Sequence, residues 1–592
     1  MSLLSKASLV LTPNSIKESK LYSIIPSNGN GDMTVTRATT ATRVNSEGFI
    51  EDVPYNFTKY SEMFSDVSWN RLNLSIIPNV TTAPNGTLTA DNFIPNTTNS
   101  DHNITQSSTY SVAGSIYTIS VYAKSNGYNF IRLSFGNVAG GGFTFFNILD
   151  GTIGTTSSMM SNTITSVGNG WYRCTVTRAT TINGMLATDL YVTSANNQFQ
   201  WSGNGTSGVY IWGAQLVQGS IQKDYFPTTD RLNVPRLNYD VAGGCPSILL
   251  EPQRTNLVTY SEDFSDASWI KPSVNVTQNT IISPDGTVNA DTITGDGTTT
   301  IHSINKFGNG TSGTTYVHTI YAKKNTNNFL QIAGTTALYT SGLVFANFDL
   351  NNGVVGSVGG GATSSITNVG NGWYRCTMIA TANANATGNI FVALLISSAT
   401  SPRAETNALS TSVYIWGAQL EVGAYPTSYI PTLGTTVTRN ADLISRNNLY
   451  TNGLITSAGG TWFVELVNNI GLIRDNGSLQ SLAIQTSISS TLNALLMRTF
   501  SGTNKLSIIK RILDVETILY STLTDSIKVA IKWNGTTADV FVNGIKVTSA
   551  TSFTITNMEY LTANGIDVPK YIKAQLLFPT PLSDAECISM TT

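Results

Sequence analysis

The chain reads as an all-β protein built of tandem antiparallel sandwiches, and three observations carry that expectation. Only 11% of residues are charged, against about 25% in ordinary globular domains. The polar surface is instead Ser, Thr and Asn with 50 Gly, residues that favour turns and the solvent faces of strands over helix interiors. Segment after segment alternates apolar and polar residues with a period of two, broken by Gly-Asn-Gly, Asn-Gly and Pro-Asp-Gly turns. Finally, a long stretch is written twice: VGNGWYRCT begins at Val167 and again at Val369.

The repeat sets the organisation. At 592 residues the chain exceeds the roughly 250–300 that one core supports. YSEMFSDVSW ending at Trp69 returns as YSEDFSDASW ending at Trp269, APNGTLTAD ending at Asp91 returns as SPDGTVNAD ending at Asp291, and VYIWGAQL at Val209 returns at Val413. Two whole modules are therefore duplicated, 55–230 and 255–432, with small loop insertions between copies. In YTISVYAK, Tyr117, Ile119, Val121 and Ala123 share one face while Thr118, Ser120, Tyr122 and Lys124 share the other. In the repeated nonapeptide Tyr172, Cys174 and Val176 form the apolar face, with Trp171, Arg173 and Thr175 opposite. Such strands predict a jelly-roll β-sandwich for each copy. The stretch 231–254, with prolines spaced along it, and 433–452, which follows Pro426 and Pro431, read as semi-rigid extended linkers. From 453 to 592 a third β module follows, with hairpins at Asn534-Gly535 and Asn543-Gly544.

Charge and cysteine usage narrow the function. A formal charge of −2 with scattered Lys and Arg provides no basic stripe, so no nucleic-acid partner is expected. No run approaches the ~20 apolar residues of a membrane span, so no membrane insertion is expected either. The N-terminal MSLLSKASLVLTPNS, broken by Ser and Lys, does not read as a secretory signal. Cys174, Cys245, Cys376 and Cys587 are far apart and read as buried thiols.

Catalytic chemistry is hard to assemble. His102 and His302 are repeat equivalents and so fall in different modules, while His318 aligns with Ile119 on the apolar face and reads as a core histidine with one hydrogen bond. The recurring acids Glu62 and Glu262, Asp66 and Asp266, Asp91 and Asp291 sit in turn-like contexts and read as caps. Asp525, Asp539 and Asp567 are dispersed, giving no calcium loop, and no cofactor is expected. For sugar binding, which uses aromatic faces with neighbouring polar groups, the candidates are Trp171 and Trp373, each two residues before an Arg. A purely structural role is the leading reading of both tryptophans, with ligand binding as the alternative. Trp69, Trp269, Trp212 and Trp416 read as core.

Three stretches carry resemblances. LYSIIPSNGNGDMTVTRATTATRVNSEGFIEDVPYN (21–56) resembles the leader of bacteriophage tail and receptor-binding proteins. The duplicated modules, through YSEDFSDASW, VGNGWYRCT and VYIWGAQLEVGAYPTSYIPT, resemble carbohydrate-binding-like jelly rolls of phage fibres. The last module, through VAIKWNGTTADVFVNGIKV and FPTPLSDAE, is similar to laminin-G or concanavalin-type lectin sandwiches. The resemblance implies a non-enzymatic tail or head fibre exposed on a virion: a homotrimer, joined to other virion proteins through an N-terminal attachment segment, 1–54, and displaying domains that bind host cell-surface glycans. A purely architectural spacer, a polysaccharide depolymerase and a cellular adhesin are the alternatives.

Overall fold

A computed structural model describes residues 3–111, 113–137, 142–241, 243–340, 342–467, 482–486, 493–499, 505–513, 515–522, 527–555, 557–564 and 570–592. The chain forms two compact units, one of Val53–Leu232 with Gly286–Asn289, the other of Met1–Asp52, Asn233–Asp285 and Ala290–Thr592. The all-β expectation holds: among the described residues the one α-helix is Asp584–Thr591. That helix opens on a capping box in which Ser583 and Glu586 satisfy each other's backbone N–H groups.

The first copy is a sandwich of two six-stranded antiparallel sheets. One runs Thr152–Ser157, Phe143–Asn147, Phe130–Asn137, Gly184–Thr193, Asn103–Ser111, Asn70–Leu72. The other runs Ser161–Gly168, Trp171–Ala179, Ile116–Asn126, Gly208–Gln218, Ala90–Pro95, Leu74–Thr81. In the second copy the equivalent strands recur in the same two orders, from Val354–Gly359 to Trp269–Ile270 and from Thr363–Asn368 to Val274–Ile282. Period-two patterning explains the register. Ile119 pairs with Val176 and Val121 with Cys174, and these four residues are fully or almost fully buried in the first copy's interior with Tyr117 and Ala123. A slip of one residue would turn that whole set outward, so burial at about 1.5–3 kcal/mol per large side chain holds the pairing. The second copy has a separate interior, built on Ile320, Ala322, Cys376, Met378 and their neighbours.

The third sandwich corrects the reading of the leader and the linkers. Leu9–Leu11 pairs with the strand Lys570–Phe578, Leu9 opposite Leu577. Farther along the same strand Ser247–Leu250 pairs, Ile248 opposite Ile572, and Arg236–Asn238 folds back on Ser247–Leu250 as a hairpin. In the facing sheet Met33–Thr36 pairs with Leu443–Arg446, which continues to Tyr560–Asn564. Thus 1–54, 231–254 and 433–452 all place strands in the sheets of the C-terminal module. In 231–254 the prolines make no extended strap, because Pro235 and Pro246 stand just before strands, where a missing N–H is tolerated. The driving force is apolar: Leu9, Leu11, Leu21, Met33, Val35, Leu237, Ile248, Leu250 and Ile444 share one interior with Trp462 and Trp533. Cys174, Cys376 and Cys587 are buried as expected, whereas Cys245 is exposed at the hairpin turn, a further correction.

Where these segments meet, five charged side chains are sealed from water. Arg37 Nη1 lies 2.7 Å from Asp442 Oδ1, Arg236 Nη1 2.7 Å from Glu251 Oε2, Arg439 Nη1 3.0 Å from Glu251 Oε2, and Arg236 Nη2 also contacts Asp442. Burial alone would raise the Glu251 carboxyl, but Arg439 and Arg236 hold it down to about 2. Backbone N–H groups complete the acids: Glu251 N donates to Asp442 Oδ2 at 2.9 Å, and Ser428 N to Glu251 Oε1 at 2.7 Å.

Removing one partner of such a network strands the others in a low dielectric. Asp442→Asn is expected to lower unfolding stability by about 3–5 kcal/mol in chemical denaturation of the full chain; a loss under about 1 kcal/mol would show the network to be dispensable. Leu9→Ala, distant from it, is expected to cost about 2–5 kcal/mol through cavity formation in the C-terminal interior, which the same titration reads.

Candidate functional site

The repeated nonapeptide accounts for itself residue by residue. Asn169 (φ 53°) and Gly170 (φ 77°), like Asn371 (φ 52°) and Gly372 (φ 78°), take the left-handed turn that Asn-Gly favours. Trp171 follows on the face turned away from the sandwich interior, as its alternation predicts. There it packs with Ala83, Ala90 and Trp212, and its Nε1 donates to Thr82 O at 3.1 Å. Trp373 repeats this against Ala290, Tyr321, Trp416 and Tyr429, with Nε1 donating to Ile282 O at 3.0 Å. They are 2% and 1% exposed. Neither ring face is open to a sugar, so the alternative reading of Trp171 and Trp373 as ligand-stacking residues is set aside: each closes a small outer core. The arginines two residues on are clasps, Arg173 Nη2 donating to Lys223 O at 2.7 Å and Arg375 Nη2 to Thr427 O at 2.5 Å.

Under the same outer cores lie Glu62 and Glu262. Ser261 Oγ and Tyr429 OH are 2.6 Å apart, and Tyr429 OH donates to Glu262 Oε1 at 3.1 Å; Ser61 and Tyr225 repeat the hydroxyl pair at 2.7 Å. Burial, reinforced by the charge of Asp285 and opposed by the tyrosine hydrogen bond, pushes the Glu262 carboxyl up to about 8. Burial likewise lifts Asp291 to about 7 and Asp91 to about 6. Those two cap backbone: Asp91 Oδ1 accepts from Asn79 N at 2.9 Å and Asp291 Oδ1 from Asn279 N at 3.0 Å. Asp66 and Asp266 accept from Ser68 N and Ser268 N, both at 2.8 Å.

The histidines are also structural. Both ring nitrogens of His102 lie against carbonyls, of Asn73 at 2.7 Å and Trp201 at 2.9 Å, and His302 repeats this with Ser273 and Asn407. His318 is in the core as expected, its Nε2 3.3 Å from Tyr339 OH and burial driving it down to about 3. Among the described residues no three His, Cys, Asp or Glu side chains form a group suited to a metal. Asp539 is paired with Lys546 at 3.0 Å, while Asp525 and Asp567 lie outside the described residues.

Sequence reasoning passed over the outer face of the first copy's other sheet. With Ile131, Leu133 and Leu190 turned into the interior, Arg132, Tyr191 and Asn103 face outward in one cross-strand row. The Arg132 guanidinium carbon lies 3.5 Å from the Tyr191 ring centroid and 4.8 Å from that of Phe199, and Nη2 is 3.6 Å from Asp101 Oδ1. Phe199, 38% exposed, stands edge-on to Phe143 and Phe145. The signal was present as NFIRLSFG in the first copy against NFLQIAG in the second, an Arg for a Gln at one outward position.

No family model matches the chain, and no curated protein matches it. Among solved structures, the N-terminal CBM22-1-CBM22-2 tandem domain from Paenibacillus barcinonensis Xyn10C is similar at 9% identity over 66% of this chain and 99% of that one, with a TM-score of 0.19.

The raised carboxyls carry a pH dependence whose sign follows from linkage. Unfolded Glu262 ionises near 4.5 while the folded group keeps its proton to about 8, so the unfolded state gains on the folded one as pH rises between those values. The chain is expected to be less stable at pH 9 than at pH 5, and Glu262→Gln, which keeps an acceptor for Tyr429, to shrink that difference in thermal or urea denaturation.

Proposed function

We propose that the protein is a structural fibre protein of a bacteriophage virion whose β-sandwich modules bind glycans of the host surface. The observation that carries the glycan-binding part is the outer face around Arg132, where a solvent-facing aromatic ring, a half-buried tyrosine and polar atoms without hydrogen-bond partners among the described residues share one surface. That combination suits the apolar face and the hydroxyls of a sugar. Support for the virion comes from sequence: the leader-like 21–56 and the duplicated fibre-like modules resemble phage appendages, and a chain with 11% charged residues changes little with ionic strength outside a cell. Assembly as a homotrimer would multiply weak sites into useful avidity. No catalytic step is part of this reading.

A second reading, an architectural spacer that contacts no receptor, is favoured by the burial of Trp171 and Trp373 in both copies. Two measurements separate the readings. Binding of the full chain to a glycan array is expected under the first and absent under the second. Antibody to this chain is expected to decorate the outside of intact particles in micrographs under both, and unlabelled particles would remove the virion role.

A further inference from the structure

We propose that the Arg132 face is a sugar-binding site belonging to the first copy alone, that it takes an uncharged pyranose presenting a vicinal diol, and that the second copy has closed the same face. The proposal rests on the glycan-binding reading above.

The two copies share strand order, so their outer faces compare position by position. Arg132 stands between Tyr191 and Phe145 on the neighbouring strands; in the second copy Gln331 stands between Leu394 and Asn347. Both aromatic rings and the cation have gone. The amides that replace them are spent on the chain itself. Gln331 Nε2 donates to Asn347 Oδ1 at 2.7 Å and Pro402 O at 3.0 Å, and its oxygen accepts from Ala404 N at 2.7 Å. Asn347 Nδ2 donates to Ser401 O at 2.8 Å and Ala399 O at 3.1 Å. The segment 399–404 is thereby tied down over the face.

In the first copy the corresponding loop, Ser194–Gln200, is exposed along its whole length and brings Phe199 with several amides to the rim. Beneath it polar atoms are left over: Arg132 Nε, Asp101 Oδ1 and Asn103 Oδ1 are buried without a hydrogen-bond partner among the described residues. Native folds seldom leave such atoms unmatched without a reason. Arg132 Nη2 and Asp101 Oδ1, 3.6 Å apart, are too far for a hydrogen bond with each other. A hydroxyl both donates and accepts, so two adjacent hydroxyls can accept from the guanidinium and donate to the carboxylate while the sugar's apolar face lies on the Phe199 and Tyr191 rims. The opposite charges of Arg132 and Asp101 balance, and Asp189 beside them accepts from Thr105 and is held toward its neutral form by burial. The face therefore offers no surplus cation for a uronate or sialate.

The test is binding of the full chain to arrayed neutral gluco-, manno-, galacto- and xylo-oligosaccharides beside uronate- and sialate-containing ones, repeated with Phe199→Ala, Asp101→Asn and Gln331→Ala. Phe199 and the Asp101 side chain are exposed enough for both substitutions to leave the fold intact, which the melting temperature checks. The expected result is binding to neutral sugars, weakened about tenfold or more by each first-copy variant and unchanged in Gln331→Ala. Binding that survives both first-copy variants would overturn this site while leaving the glycan-binding reading standing. Binding restricted to acidic sugars would overturn the ligand class. No binding to any glycan would overturn the glycan-binding reading itself, and this site with it.

Discussion

Five buried charges, Arg37, Arg236 and Arg439 with Glu251 and Asp442, hold together parts of the chain that are far apart in sequence. An ion pair taken out of water is an uncertain source of net stability, because desolvation offsets much of the attraction. What it provides is conditional registry: each Arg is tolerable only if the acids from other segments are in place. Arg37 comes with the N-terminal strands, Arg236 and Glu251 with the hairpin between the copies, Arg439 and Asp442 with the segment after the second copy. Val35, Ile248 and Ile444, two or three residues from Arg37, Glu251 and Asp442, enter the C-terminal interior beside them. Apolar burial supplies the free energy there, and the charges decide which strands may supply it.

This changes the meaning of the N-terminal and connecting segments. A strap between modules has only to be extended, whereas these segments complete two sheets whose other strands come from the far end of the chain. Sheet edges that would otherwise stand open are paired, as natural β-proteins require. The C-terminal module is thus a composite of early, middle and late sequence.

Duplication has a different logic. Both copies keep the turn, the outer tryptophan, the inward Cys and the clasping Arg of VGNGWYRCT, because each serves its own sandwich. On the opposite sheet's outer face, where no interior constrains the side chains, the copies part. There one copy presents rings with unsatisfied polar atoms around Arg132, and the other spends the Gln331 and Asn347 amides on its own loop. A scaffold held twice by the same packing leaves one outer face free to change without loss of the fold.

How much of this could be read in advance follows from the range of the forces involved. Strand periodicity, hairpin turns at Asn534-Gly535 and Asn543-Gly544, the doubled module, and the inward positions of Ile119, Cys174 and His318 are consequences of neighbouring residues, and a single sequence displays them. The final helix was also signalled locally, by Ser583 and Glu586 three apart, yet eight residues in so uniformly β a chain are easily overlooked. Tertiary structure alone decided that Trp171 and Trp373 are covered, since two-faced burial of a strand depends on what lies beyond its own residues. It also decided that Arg37 meets Asp442 and that Arg132 meets Tyr191 and Phe199. Those contacts are made across sheets and between distant segments, where local alternation says only which way a side chain points and nothing about what it finds there.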